Sequence, residues 1–142
     1  MQTEIVLLGD GGVGKTSFIR KLTGNFEKKY TPTNSFETIE IKTYKFYDYS
    51  GQEMFVNFGN FHGVNNFLIF FDKKLKVSHK GVRFWVDEIE KVNPDASIVI
   101  VCNKIDLPGL IPNPIVNKPY LYLSSKTGQG IYDVLECFDN SM

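Results

Sequence analysis

The sequence predicts a single α/β domain in three layers, with a mostly parallel sheet covered by helices on both faces. Short apolar runs of strand length alternate with segments of helical period along most of the chain. A glycine-rich segment lies between the first apolar run and the first helical segment, where α/β folds bind phosphate. A length of 142 residues is enough for one sizeable core. We therefore treat residues 1–142 as one domain.

Six strands and three helices follow from this pattern. The strands are predicted at 4–9, 36–41, 44–48, 67–71, 97–102 and 120–124. Only Lys42 and Thr43 separate the second strand from the third, which predicts an antiparallel hairpin at one edge of an otherwise parallel sheet. Helices are predicted at 15–23, 81–92 and 130–138, and Gly24 ends the first of them. Between residues 106 and 124, proline predicts a loop; the prolines there are Pro108, Pro112, Pro114 and Pro119.

Charge and cysteine content narrow the function classes. Sixteen Lys and Arg residues balance sixteen Asp and Glu residues, so no global field attracts nucleic acid. Cys102 and Cys137 are the two cysteines, which is no disulfide framework and suits a reducing compartment. We expect an intracellular protein located in the cytoplasm, with the nucleus as a second location. Gln2 stands where myristoylation needs glycine, and the last four residues contain no cysteine, so we expect no lipid anchor.

The segment Gly9-Asp10-Gly11-Gly12-Val13-Gly14-Lys15-Thr16 fits the pattern G-x-x-x-x-G-K-[ST] without a mismatch. Its glycines let successive backbone N–H groups face phosphates, and the following helix adds its dipole. Lys15 is placed to reach the outer phosphates, and the Thr16 hydroxyl is a hard oxygen of the kind that Mg²⁺ prefers. A plain glycine-rich turn is the alternative, but it requires neither the lysine nor the hydroxyl.

The segment Asn103-Lys104-Ile105-Asp106 decides between the two purines. It follows a buried strand and so lies at the carboxyl edge of the sheet. The Asp106 carboxylate can accept two N–H groups from guanine. Adenine offers neither, and a carboxylate covered by adenine would lose its partners. The sequence therefore predicts a guanine site.

In order and in approximate spacing, four segments resemble the small GTPases of the Ras superfamily: 9–16, 48–53, 103–106 and 124–126. The resemblance covers nearly the whole chain. It implies a three-layer P-loop GTPase fold (a G domain) whose helix before the last strand is shortened or missing. It also implies a molecular switch that uses Mg²⁺ to hydrolyse GTP to GDP and phosphate. Within the superfamily, residues 22–30 look most like the nuclear-transport GTPase Ran, with Rab proteins next.

For the base, the resemblance implies particular roles. Asn103 would support the base loop, Lys104 would lie along the guanine plane, and Ser125 would offer a backbone N–H. Lys126 would pack over the base and Phe26 would flank it, although Phe26 could equally be a core residue. The nucleotide-binding set is Gly11, Gly12, Val13, Gly14, Lys15, Thr16, Ser17, Phe26, Gly51, Asn103, Lys104, Asp106, Ser124, Ser125 and Lys126.

For the phosphates and the metal, the resemblance implies a second set of roles. Thr33 would complete Mg²⁺ coordination when the γ-phosphate is present, with Thr31 as its competitor, and Asp48 would hold Mg²⁺ through water. The N–H of Gly51 would sense the γ-phosphate, and Gln52 would orient the attacking water. The catalytic set is Gln52, Lys15 and Thr33, and the metal set is Thr16, Thr33 and Asp48 through water. Slow intrinsic hydrolysis is expected.

Partners and alternatives complete the expectations. A guanine nucleotide exchange factor, a GTPase-activating protein and effector proteins are the expected partners of a monomer, with no nucleic acid. Tyr49 and Ser50 stand where the resembled family usually carries Thr-Ala, which predicts slower hydrolysis. The alternative is a reduced, hydrolysis-poor GTP-binding mimic that sequesters regulators or transport factors. An ATP-using P-loop enzyme is a third hypothesis, which Asp106 opposes. Because the chain ends soon after Phe138, without the extension of Ran, we do not expect Ran's transport partners to bind.

The basic residues after the central strand are the last feature. Lys73, Lys74 and Lys76 begin a run that continues through residue 83, and the surrounding acidic residues are expected to neutralise it as an ordinary solvated face. Contact with a partner or with nucleic acid is the alternative, which the lack of interleaved aromatic residues opposes. His62 and His79 are isolated from other ligand side chains, so we expect no zinc site.

Overall fold

A computed structural model describes residues 3–9, 14–24, 29–32, 36–49 and 64–139. The strands are β1 Thr3–Gly9, β2 Lys29–Pro32, β3 Phe36–Ile41, β4 Tyr44–Tyr49, β5 Asn66–Asp72, β6 Ser97–Asn103 and β7 Tyr120–Tyr122. The helices are α1 Lys15–Thr23, α2 Lys76–Val92 and α3 Asp133–Asp139. Among these residues no helix has both the length and the apolar composition of a membrane span.

The strands form one sheet in the order β2-β3-β4-β1-β5-β6-β7. Strands β4, β1, β5, β6 and β7 run parallel, and β3 is antiparallel to both of its neighbours. The predicted α/β fold class, with its single antiparallel strand, is confirmed.

All six predicted strands are present, and a seventh, Lys29–Pro32, adds to them. It pairs with the outer side of β3, so the antiparallel strand lies one place in from the edge instead of at the edge itself. This strand has only four residues, ends on a proline and lacks apolar alternation. Proline is tolerated at a sheet edge, because an edge strand leaves some N–H groups without ladder partners.

Alternation along the central strands produces the three layers. In β1, Ile5 and Leu7 face one core, while Val6 and Leu8 face the other. The first core receives Phe18, Ile19, Leu22, Val134 and Phe138 from α1 and α3, and the second receives Val82, Trp85, Val86 and Ile89 from α2. Burial on both faces explains why these strands read as continuous apolar runs.

Helix α1 has its predicted bounds, whereas the other two helices begin at different residues. Helix α2 begins at Lys76, five residues before the predicted position 81. Its start was missed because Val77 is the one apolar residue of the first turn and the Leu75 N-cap makes no side-chain capping bond. Helix α3 begins at Asp133, later than predicted, after turns at 129–132. Gly130 in those turns has φ +77°, a left-handed conformation that interrupts helical geometry.

The connection from β6 to β7 contains no helix, as its prolines predict; residues 104–119 are all described and form turns and loop. Side chains from elsewhere hold this loop against the domain. Lys73 Nζ donates to the Leu107 carbonyl oxygen at 2.6 Å, and the Arg83 guanidinium donates to the carbonyl oxygen of Ile115. The hydroxyl of Tyr120 accepts the Ile115 N–H at 3.1 Å. These bonds satisfy backbone groups that a helix would otherwise satisfy internally.

Candidate functional site

Polar residues lie at the carboxyl ends of the parallel strands, which form one edge of the sheet, called here the carboxyl edge. Because β1, β4, β5, β6 and β7 are parallel, their carboxyl ends meet there. Asp48 lies near the end of β4, Asp72 ends β5, and Asn103 ends β6. Helix α1 starts at the same edge, directly after Gly14. The arrangement gathers carboxylates, an amide and a helix N-terminus around one place.

A cavity of about 370 Å³ opens at this edge, within the size range of small-molecule sites. It brings together three segments that are far apart in sequence, namely the start of α1, the loop after β6 and the loop after β7. Its lining residues are Gly14, Ser17, Asn103, Lys104, Asp106, Leu107, Ser125 and Lys126. All but Leu107 belong to the predicted nucleotide-binding set.

Asn103 joins the three segments. Its side chain is almost fully buried, and Oδ1 accepts the Lys104 N–H at 2.8 Å. The same oxygen accepts both the N–H and the hydroxyl of Ser125, each at 3.1 Å. In this structure the Ser125 N–H is therefore donated to Asn103 and not left for a ligand, which differs from its expected role. Ser125 lines the cavity while holding the loop after β7 against β6.

Gly14 permits the close approach of α1 to β6. Its backbone has φ +93°, and a Cβ built there would lie 2.1 Å from Nδ2 of Asn103. No side chain fits at that distance. The glycine demanded by the sequence motif is thus required here by both the backbone conformation and the contact with Asn103.

Asp106 is held as an anion at the rim of the cavity. Ser124, itself fully buried, donates its hydroxyl to Asp106 Oδ1 at 2.6 Å. This hydrogen bond is the largest of the influences that lower the pKa of Asp106 below its ordinary value, and the charges of Lys126 and Lys73 act in the same direction. The carboxylate itself is exposed in this structure, so a base lying in the cavity would supply its cover.

Asp72 is a functional candidate that sequence reasoning missed. Its carboxylate is 3% exposed and forms an ion pair with Lys104, with Nζ 2.7 Å from Oδ2. The other carboxylate oxygen accepts the Lys74 N–H at 2.8 Å. Lys104 itself has φ +66°, an uncommon conformation for a residue with a side chain. Asp72 is the polar last residue of an apolar strand, as Asn103 is, and that position was the available signal.

On the phosphate-loop side, the structure brings Lys15 and Asp48 together. Lys15 is buried in the first turn of α1, and its Nζ lies 4.0 Å from Asp48 Oδ1. Thr16 and Ser17 are exposed in the same turn. The first turn of α1 contains no acidic residue, which favours an anion at its N-terminus.

The remaining predicted site residues lie outside the described residues. They are Gly11, Gly12, Val13, Phe26, Thr33, Gly51 and Gln52. Ser124 is described, and it contacts Asp106 from behind the cavity wall.

One comparison with known proteins bears on this geometry. The sequence model of one protein family, described as "Ras of Complex, Roc, domain of DAPkinase", matches residues 4–106, which is more than half of the chain. This chain belongs to the Roc family. The match runs from β1 through Asp106 and so includes the phosphate loop, Asp48 and the Asn103 to Asp106 segment. Roc domains are G domains of the Ras superfamily, and the fold is that of a shortened P-loop GTPase.

The phosphate-loop side of this Roc domain offers oxygen donors of the kind that magnesium prefers. Within the described ranges, no group of three or more His, Cys, Asp and Glu side chains could hold a metal. The Thr16 hydroxyl, next to Lys15 in α1, and the Asp48 carboxylate, 4.0 Å from Lys15 Nζ, are hard oxygen donors. A few protein oxygens that leave room for phosphate oxygens and water are the usual surroundings of Mg²⁺.

Proposed function

We propose that this Roc domain binds guanine nucleotide and hydrolyses GTP to GDP and phosphate as a molecular switch. The observation that carries the proposal is the anionic Asp106 at the rim of a cavity that also contains Gly14 and the start of α1. A single cavity then offers a hydrogen-bond acceptor for guanine and a helix N-terminus for phosphate. The membership of the Roc family supports the same function.

Each described side chain has a distinct task in this proposal. Lys15 donates to the outer phosphates, for which its ammonium moves from beside Asp48. Lys104 packs along the base while Asp72 holds its ammonium, and Lys126 covers the base from the other loop. Thr16, Asp48 through water, and Thr33 would hold Mg²⁺, which would supply positive charge to neutralise the phosphates. Gln52 orients the attacking water, and Gly51 and Thr33 respond to the γ-phosphate.

Substitution of Asp106 tests the choice of base. Asp106→Asn replaces two acceptor oxygens with an amide, which cannot accept both N–H groups of guanine. We expect GDP to bind about 10- to 100-fold more weakly, and xanthosine diphosphate, whose ring has a carbonyl in place of the exocyclic amine, to gain affinity. Fluorescence titration with labelled GDP, XDP and ADP measures the change. The matched control is Asp87→Asn on the exposed face of α2. ADP binding as tight as GDP binding in the unmodified protein would refute the guanine site.

Hydrolysis is tested through Gln52. Gln52→Leu removes the amide that orients water, so bound GTP should persist while its affinity stays unchanged. Single-turnover hydrolysis measures this, and Gln129→Leu, at an exposed glutamine after β7, is the control. Equal rates in the two variants would remove Gln52 from the mechanism.

The hydrolysis-poor mimic is the second candidate function. Tyr49 and Ser50, in place of the usual Thr-Ala, favour it because a bulky ring adjoins the segment that contains Gln52. Chromatography of the nucleotide released on denaturing the freshly purified protein separates the two functions. Mostly GDP supports the hydrolysing switch, and mostly GTP supports the mimic.

The remaining expectations stay proposals. An exchange factor, a GTPase-activating protein and effectors would act on a monomeric switch in the cytoplasm or the nucleus. The likeness of residues 22–30 to Ran and Rab is a prediction of the same kind, since the family match concerns Roc and residues 25–28 lie outside the described residues.

A further inference from the structure

The exposed side chains of residues 73–86 and 107–119 form a surface, called here the basic face, and neither segment contains an acidic residue. Its cations are Lys73, Lys74, Lys76, Lys80, Arg83 and Lys118. At its borders, Asp72 pairs with Lys104, and Glu90 pairs with Lys118 at 2.9 Å. Exposed Asp87 follows the face on α2, and exposed Asp106 precedes it in the loop after β6, so the acidic residues lie around the face and none lies within it.

Direct contacts join the two segments into one surface. Lys73 Nζ donates to the Leu107 carbonyl oxygen, and Arg83 donates to that of Ile115. The ammonium of Lys74 lies 3.4 Å from where a Cβ on Gly109 would be. Lys73 and Arg83 therefore hold the loop in place through these two bonds. The exposed Lys74, Lys76 and Lys80 form no ion pair with any carboxylate of the described chain.

The same face concentrates exposed apolar side chains. The large exposed hydrophobic residues of the described chain are Leu75, Val77, Phe84, Val92, Leu110, Ile111 and Tyr132, and all but Val92 and Tyr132 lie on the basic face. Leu110 is 95% exposed and Val77 75% exposed. Single exposed apolar residues need no explanation, but five of them on one surface that also carries lysines favour an interaction site.

We propose that the basic face docks on an anionic lipid surface. Lysines attract anionic headgroups, and projecting aliphatic side chains enter the boundary between headgroups and acyl chains. The composition favours lipid over a protein partner, because protein interfaces are depleted in lysine and enriched in Tyr, Trp and Arg. Nucleic acid is disfavoured because the face offers one aromatic ring, Phe84, for base stacking. Leu110, in the loop between Gly109 and Pro112, is almost fully exposed and can therefore enter the boundary between headgroups and acyl chains.

Vesicle sedimentation tests the proposal on the intact chain. Phosphatidylcholine vesicles with about 30% phosphatidylserine should pellet the protein at ~0.1 M NaCl, and pure phosphatidylcholine vesicles should not. Raising the salt to ~0.5 M should release it, since lysine-headgroup attraction is screened. No pelleting by the anionic vesicles at low salt would overturn the proposal.

Matched variants assign the binding to this face. The double variant Lys74→Glu with Lys76→Glu, and separately Leu110→Asp, should each weaken vesicle binding about tenfold or more. Lys21→Glu on α1 and Val92→Asp at the end of α2 are the charge and apolar controls, and each should bind within about twofold of the unmodified protein. Equal losses in controls and test variants would contradict the assignment.

Two further measurements make the result decisive. The substituted side chains are exposed, so circular dichroism and GDP affinity should stay unchanged, which separates this proposal from the nucleotide site.

A synthetic acidic amphipathic peptide and a single-stranded RNA serve as competing ligands. If either binds the face while anionic vesicles do not, the surface recognises that ligand and the lipid proposal is wrong.

Discussion

The residues that end the parallel strands act through their neighbours as much as toward a ligand. The side-chain oxygen of Asn103 accepts hydrogen bonds from the loops after β6 and β7. Ser124, just after β7, donates its hydroxyl to Asp106. Asp72 is buried, and its charge is balanced by a lysine that is 39% exposed. A buried carboxylate needs such a partner, whereas the exposed lysine could return to water. The pair therefore fixes Lys104 more than it stabilises the fold.

Asp72→Asn separates these two effects. The amide oxygen can keep the bond from the Lys74 N–H, while the ion pair with Lys104 is lost. We expect the free energy of unfolding to fall by about 1 kcal/mol and GDP dissociation to become several-fold faster, because Lys104 loses its fixed position. Urea denaturation and stopped-flow release of labelled GDP measure the two changes. Asp87→Asn is the control, and unchanged dissociation with lowered stability would leave Asp72 a purely structural role.

Among the elements, those with long-range apolar pattern could be predicted from sequence. The strands β1, β5 and β6 are apolar throughout because both faces are buried, and the proline-rich connection could hold no helix. Strand β2 and the first turn of α2 could not be predicted, because neither shows an apolar pattern. Strand β2 depends on its pairing with β3, and the start of α2 depends on the turn at Leu75.

The same distinction applies to the site. Its motif residues were found because glycine, lysine and aspartate stood at fixed spacing after strands. The Asp72 to Lys104 pair and the use of the Ser125 N–H by Asn103 depend on distances between separate strands. Spacing along the chain contains no such information.

The junction of α1 with β6 is the element contact most sensitive to substitution. Gly14→Ala would place a Cβ against Asn103 and force a left-handed backbone on alanine. Conformational strain and overpacking together should cost at least about 2 kcal/mol. Guanidinium denaturation measures the loss, and GDP binding should weaken with it because Asn103 also holds Ser125. Gly24→Ala at the other end of α1, where φ is −55° and the nearest neighbour of a Cβ is 3.5 Å away, is the control.

At the scale of the whole molecule, His79 links helix α2 to two strands of the sheet. Its ring stacks on Phe71 of β5, with centroids 4.1 Å apart, and its Nε2 lies 3.0 Å from the hydroxyl of Tyr120 at the start of β7. Burial lowers the pKa of His79 below its ordinary 6.5. The folded protein therefore keeps this imidazole neutral at pH values where the unfolded chain would protonate it.

This difference in pKa makes the stability of the whole molecule depend on pH. Above pH 6.5 the His79 imidazole is neutral in both the folded and the unfolded state, so its titration does not change the free energy of unfolding. As the pH falls below 6.5, the unfolded chain takes up a proton first, so the free energy of unfolding decreases until the folded pKa is passed. His79→Phe keeps a ring against Phe71 and cannot titrate, so its unfolding midpoint should fall less between about pH 7.5 and 5.5. Urea unfolding of both proteins across this range measures the difference. Other titrating groups, common to both proteins, cancel in that comparison, so parallel pH profiles would show that His79 does not contribute to the acid sensitivity of the fold.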